Sequence, residues 1–137
     1  MKISTKGKYS LQLILYLAQN TNSGYISLTD ISNKINISKK YLEQIVQLLN
    51  KAGILNANRG FQGGYKLRLK PDEITVYDVL KITETSFLKE DYKEIENFAL
   101  KSVLNGLNNV ISDYLKNITI EDIMNKETER LLNDYMI

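Results

Sequence analysis

Ser38-Lys-Lys-Tyr-Leu-Glu-Gln-Ile-Val-Gln-Leu-Leu-Asn-Lys-Ala-Gly53 is the stretch whose reading decides the fold. Ser38 is a good helix N-cap, because its hydroxyl accepts from the free N–H groups of the first turn. Gly53 suits the position after the last turn, where the backbone turns left-handed and a Cβ is penalised. Between them Leu42, Ile45, Val46 and Leu49 fall at i, i+3, i+4 and i+7, one apolar helix face. The opposite face carries Lys39, Lys40, Glu43, Gln44 and Gln47, donors and acceptors of the kind that read base edges in a major groove. An ordinary solvated helix has the same look, so the surrounding segments decide between the two.

Upstream, Ser4 or Thr5 starts a helix to about Asn20, with Leu11, Ile14, Leu15 and Ala18 on one face. Asn22-Ser-Gly24 is a turn. Ser27 caps a short helix with Asp30 three residues on, and Asn36-Ile37 is the tight turn before Ser38. Helix, short helix, turn and capped helix is the helix-turn-helix order.

Downstream the period changes from helical to extended. Ile54-Leu55 begins a strand, and Tyr65-Lys-Leu-Arg-Leu69 alternates apolar and basic residues as a half-exposed strand does. Between them lies Asn58-Arg-Gly-Phe-Gln-Gly-Gly64. Gly60, Gly63 and Gly64 permit close backbone approach to another surface. A strand follows this loop, not a helix, which argues against a nucleotide phosphate site. An ordinary hairpin turn would serve equally as structure. Arg59 in the loop, with Lys66 and Arg68 on the strand, favours a basic wing entering a minor groove.

Thr75 caps a helix through about Thr83, and Ser86 to Glu90 reads as a linker. A long helix is expected from near Asp91 to Asn117. Within it Leu100, Leu104, Leu107, Ile111, Tyr114 and Ile118 keep a 4-3-4-3-4 spacing, a coiled-coil type seam. Tyr92, Ile95, Ala99 and Val103 form a second apolar edge. Packing against the first helix is one use for such a surface; self-association is the favoured one. Thr119 caps a last short helix, Ile120 to about Asn125, and the rest is tail. The expected fold is mainly α with a small β wing, a winged helix-turn-helix over 1–83 and a dimerisation segment over 84–137.

Composition limits the chemistry. The 137 residues include no Cys and no His, which removes disulfides, thiolate clusters and the commonest general base. No Gly-x-Ser-x-Gly or Walker motif is present, so an enzyme is a poor reading. The net charge of +2 hides an asymmetry. Residues 1–70 hold eleven Lys/Arg against Asp30 and Glu43, a balance of +9. Residues 71–137 balance at −7. The first half therefore implies a polyanionic partner, and the second would repel it. The apolar run Leu11–Ala18 is too short to span a bilayer and has no cleavage site after it, so a cytoplasmic protein is expected.

Met1-Lys-Ile-Ser-Thr-Lys-Gly-Lys-Tyr9, Ser38-x-x-Tyr41-Leu-Glu-Gln-Ile45, Ala52-Gly-Ile-Leu55, Arg59-Gly-x-x-Gly-Gly-Tyr65 and Thr119-Ile-Glu-Asp-Ile123 resemble the Rrf2 family of bacterial transcription regulators. The resemblance covers nearly the whole chain. It implies a dimer formed through the long helix, with two winged heads on a palindromic operator. Residues matching the family's readers are Tyr41, Glu43 and Gln44 on the helix and Arg59 on the wing. A reader position often small and polar in such proteins is Lys40 here, so their operator sequence does not transfer. Many members hold an iron–sulfur cluster on three cysteines between wing and long helix. Here that region is Glu84-Thr-Ser-Phe-Leu-Lys-Glu90, without thiolate or imidazole. The chain is similar instead to a cluster-free branch typified by a repressor of cysteine metabolism, which implies regulation without a cofactor. The end of the chain, Tyr135-Met-Ile137, is then a candidate for capture by cysteine synthase, through its terminal carboxylate and apolar side chains. The rival reading is a helical module whose basic half binds another protein.

Overall fold

The computed structural model describes residues 2–84, 88 and 90–136. Among the described residues six α-helices and a two-stranded antiparallel hairpin follow in the order α1 (Thr5–Gln19), α2 (Leu28–Ile35), α3 (Lys39–Lys51), β1 (Leu55–Asn58), β2 (Gly64–Leu67), α4 (Val76–Thr83), α5 (Phe98–Lys116) and α6 (Ile120–Met136). Short 3-10 turns cover Thr21–Ser23 and Pro71–Glu73.

Local chemistry sets most boundaries. The Ser4 hydroxyl accepts from the Gly7 N–H, Ser27 from Asp30 and Ser38 from Tyr41, so each of the first three helices starts on a serine cap. At the end of α3, Gly53 (φ 81°) lets its own N–H donate to Asn50 and that of Ile54 donate to Leu49, a Schellman closure. Thr75 with Asp78, and Thr119 with Asp122, form reciprocal capping boxes with distances of 2.9–3.0 Å.

One core gathers Leu13, Ile14 and Leu17 of α1, Ile31 of α2, Leu42, Ile45, Val46 and Leu49 of α3, and Val79 of α4. Ile120, at the start of α6, lies fully buried in that core. It is held there by a bridge in which Ile120 N–H donates to Ile74 and Val76 N–H donates to Ile118, both at 2.9 Å. Contacts thus cross the expected 83/84 boundary: residues 115–124 are sewn onto the head. A smaller cluster of Val76, Leu80 and Leu115 joins α4 to α5.

The C-terminal half departs from expectation in two places. The long helix starts at Phe98, not near Asp91. Asn97 caps it, its side chain accepting from Leu100 N–H at 2.9 Å. Tyr92 takes φ 53°, which a helix interior excludes. Asn108 pins the preceding strand of chain to α5 by donating to the Glu90 carbonyl at 2.7 Å. The last helix runs seventeen residues to Met136, not to Asn125. Nothing breaks it after Asn125, and Arg130 bonds Glu127 and Asp134 one turn to either side. The bond to Arg130 holds the Glu127 carboxyl below its usual range. Strand β2 also stops at Leu67, two residues before the expected Leu69. The expected linker, Ser86 to Glu90, falls largely outside the described residues, as does Ile137.

Candidate nucleic-acid interface

The geometry of α3 is fixed from beneath. Leu42, Ile45, Val46 and Leu49 are at most 1% exposed, which leaves its outer face one orientation. Asn36 (φ 58°) makes the turn from α2, Ile37 is buried in it, and the Ser32 hydroxyl donates to the Ile37 carbonyl at 2.7 Å. That bond sets how α3 projects from α2. Ser38, Lys39, Lys40, Glu43, Gln44 and Gln47 are all exposed on the projecting side.

Tyr41 differs from these. It is half-buried, its ring edge-on to Tyr9 of α1 with centroids 5.3 Å apart and planes at 75°. Such a pair fixes a ring as well as burying it. Tyr41 is thus a braced side chain at the edge of the exposed face. Tyr9 was not legible as its support, because the pairing spans two helices.

The wing is the β1–β2 hairpin, with Leu55 opposite Leu67, Ala57 opposite Tyr65 and Asn58 opposite Gly64. Tyr65 also exchanges both backbone hydrogen bonds with Ile26, at 2.9 and 3.0 Å, tying the wing to the segment leading into α2. This contact corrects the expected use of one glycine. Gly64 is buried, and a Cβ there would fall on the Ile26 carbonyl. Its missing side chain is what close approach within the protein requires. Gly63 is similar, since its Cβ would meet the Asn58 carbonyl oxygen at 2.5 Å. Gly60, by contrast, is exposed, with φ 95° and nothing near its missing side chain. Arg59 stands exposed beside it. Lys66 is half-buried with Nζ 4.5 Å above the Tyr25 ring, a cation–π contact that steers the ammonium.

Charge pairing separates the two halves of the chain. Among the described residues the salt bridges are Lys81–Asp78, Lys93–Asp91 and Arg130 with Glu127 and Asp134. All lie in the acidic half. No cation of the first seventy residues is neutralised within the chain among the described residues, so Lys39, Lys40 and Arg59 keep their charge for an external anion.

The seam expected on α5 divides. Ile111 and Ile118 pack against Val76, Leu80 and Leu115 of their own chain. Leu104 is half-buried. Leu100, Leu107 and Tyr114 remain outward, 45–67% exposed, and are joined by Val103 and Val110 at 69% and 67%. The open apolar stripe is therefore 100, 103, 107, 110 and 114, rotated from the expected one because α4 covers the 111–118 edge. On α6, Tyr135 and Met136 are 91% and 82% exposed.

A cluster has no donors here. The sequence holds neither Cys nor His, and no group of three His, Cys, Asp or Glu among the described residues is placed to hold a metal ion. The donor set does not fit an iron–sulfur cluster. No helix among the described residues is long and apolar enough to cross a membrane.

The model of the Rrf2 family, described as iron-dependent transcriptional regulators, matches residues 3–126. The transcriptional regulator CymR of Bacillus subtilis is 36% identical, over 90% of this chain and 89% of its own length. The regulator IscR of Aliivibrio salmonicida is 35% identical, over 90% of this chain and 77% of its own. The solved structure of CymR, the global cysteine regulator of B. subtilis, superposes with a TM-score of 0.79 at 35% identity. It covers 90% of this chain and 95% of that one.

Proposed function

Because the chain belongs to the Rrf2 family of transcriptional regulators, we propose that it binds operator DNA as a homodimer of two winged heads. The observation that carries this reading is the exposed basic surface of α3 and the wing, which enters no salt bridge among the described residues. Lys39 and Lys40 sit in the first turn of α3, where they neutralise phosphates and set the register. Glu43, Gln44 and Gln47 follow along the same face and read base edges in the major groove. Arg59 enters the adjoining minor groove, and Ser38, Tyr41, Gly60 and Lys66 shape the frame around these readers. The second head comes from a second copy, through the apolar stripe of α5. The protein acts as a repressor in the cytoplasm and works without a cluster, since its residues supply no thiolate or imidazole.

Readers and positioners separate experimentally. Arg59→Ala is expected to weaken the specific duplex and relax its preference for a narrow, A·T-rich minor groove. Lys39→Ala is expected to weaken every duplex about equally and to lower the salt slope by roughly one unit. Matching behaviour of the two variants on specific and random duplexes would refute the assignment.

Similarity to a regulator named for cysteine supports genes of cysteine and sulfur metabolism as the targets. Cysteine synthase is the proposed signalling partner, taking the exposed apolar Tyr135 and Met136 at the end of α6 together with Ile137, which lies outside the described residues. A pocket that takes short apolar peptide ends suits this segment. Calorimetric titration into cysteine synthase of the same organism should show about micromolar binding that is lost when Ile137 is removed. Equal binding by both forms, or by neither, would exclude the tail as the contact.

A further inference from the structure

The tip of the wing carries a single aromatic side chain. Phe61 is 96% exposed, the most exposed large apolar residue among the described ones. Its position is built and not incidental. The Gly63 N–H donates to the Gly60 carbonyl at 2.9 Å, closing a four-residue turn with Phe61 and Gln62 at its corners. Gln62 takes φ 62°, so the second corner has the left-handed geometry of a type II turn. The glycines that flank these corners offer no side chain for the ring to lie against. The hairpin below is locked by the Tyr65–Ile26 exchange and by the close passage of Gly64 over Ile26. A rigid stalk thus holds one bare aromatic ring at its apex, two residues from the exposed cation of Arg59.

We propose that Phe61 is a wedge that enters the minor groove beside Arg59 and partly unstacks one base step of the operator. This rests on the DNA-binding reading above. The chemistry favours DNA as the occupant. Arg59, two residues from the ring, is exposed and makes no salt bridge among the described residues, which suits a polyanion, although Asp30 lies across the cleft that Phe61 lines. Apolar side chains inserted between base steps from the minor groove kink the duplex toward the major groove. Pyrimidine–purine steps unstack most easily, so the wedge selects such a step opposite the wing without any hydrogen bond to a base. Phe61 therefore adds specificity at positions outside the reach of α3. It supplies it through deformability, whereas Arg59 supplies it through charge.

The test uses the full chain and a duplex selected by the wild-type protein from a random-sequence pool. Affinity and end-to-end bend of that duplex are measured for wild type, Phe61→Ala and Phe61→Leu. The ring touches no core residue, so thermal stability should be unchanged in both variants. Phe61→Ala should bind the selected duplex roughly tenfold more weakly, with a smaller bend and an unchanged salt slope. Phe61→Leu keeps an apolar wedge and should stay within about threefold of wild type with most of the bend. Wild-type affinity and bend in Phe61→Ala would overturn the wedge while leaving the DNA reading intact. Equal losses in both variants with the bend unchanged would overturn it too. Failure of the wild type to enrich any duplex would remove the DNA reading first, and the wedge with it.

Discussion

Leu107→Asp should sediment as a monomer and lose more than about a hundredfold in operator affinity, the size of effect that two linked heads gain over one. In the single chain Leu107 is 45% exposed and belongs to neither buried cluster. The substitution therefore leaves the head's core intact. In the proposed dimer it places a carboxylate in the middle of an apolar stripe that runs from Leu100 to Tyr114, roughly 21 Å of helix. Desolvating that charge without a partner costs about several kcal/mol per chain, and each dimer would contain two. The two half-sites of an operator lie one helical turn or a multiple of it apart, and a single head reaches one of them. Circular dichroism checks that α5 remains helical. A folded, dimeric Leu107→Asp protein with unchanged affinity would move the interface away from this face of α5.

What the sequence disclosed follows the range of the interactions involved. Ser38 and Gly53 bracket α3 within a few residues, and Thr75–Asp78 and Thr119–Asp122 are reciprocal bonds three residues apart. Such devices are readable because both partners stand in one short stretch. Asn97, the N-cap before Phe98, marks the start of α5, which the expected start near Asp91 misplaced. However, the apolar spacing Tyr92, Ile95, Ala99 and Val103 runs on through that cap and hides it. The length of α6 lay in the Glu127, Arg130 and Asp134 spacing, which is a helix pattern without an apolar stripe long enough to draw notice.

The site was half legible for the same reason. Exposed polar residues on α3 follow directly from its buried face. The burial of Gly64 against Ile26 does not, since the two residues are 38 positions apart and meet through tertiary folding. Nor does the rotation of the α5 stripe, which depends on α4 covering Ile111 and Ile118. A heptad pattern states which residues are apolar at helical spacing; it does not state which of two neighbouring edges the rest of the chain takes first.

The central claim is that the basic half of the chain reads DNA, and a salt titration of the unmodified protein on two duplexes tests it most directly. One duplex is recovered from genomic fragments that the protein retains, and the other has a scrambled sequence. Phosphate neutralisation by several lysines and arginines makes log affinity fall linearly with log salt. Between 50 and 200 mM salt the loss should reach about a thousandfold on both duplexes. At any one salt concentration the genomic duplex should bind at least about a thousandfold tighter than the scrambled one. A shallow salt dependence, or equal affinity for both duplexes, would contradict the account and favour a module whose basic surface binds another protein.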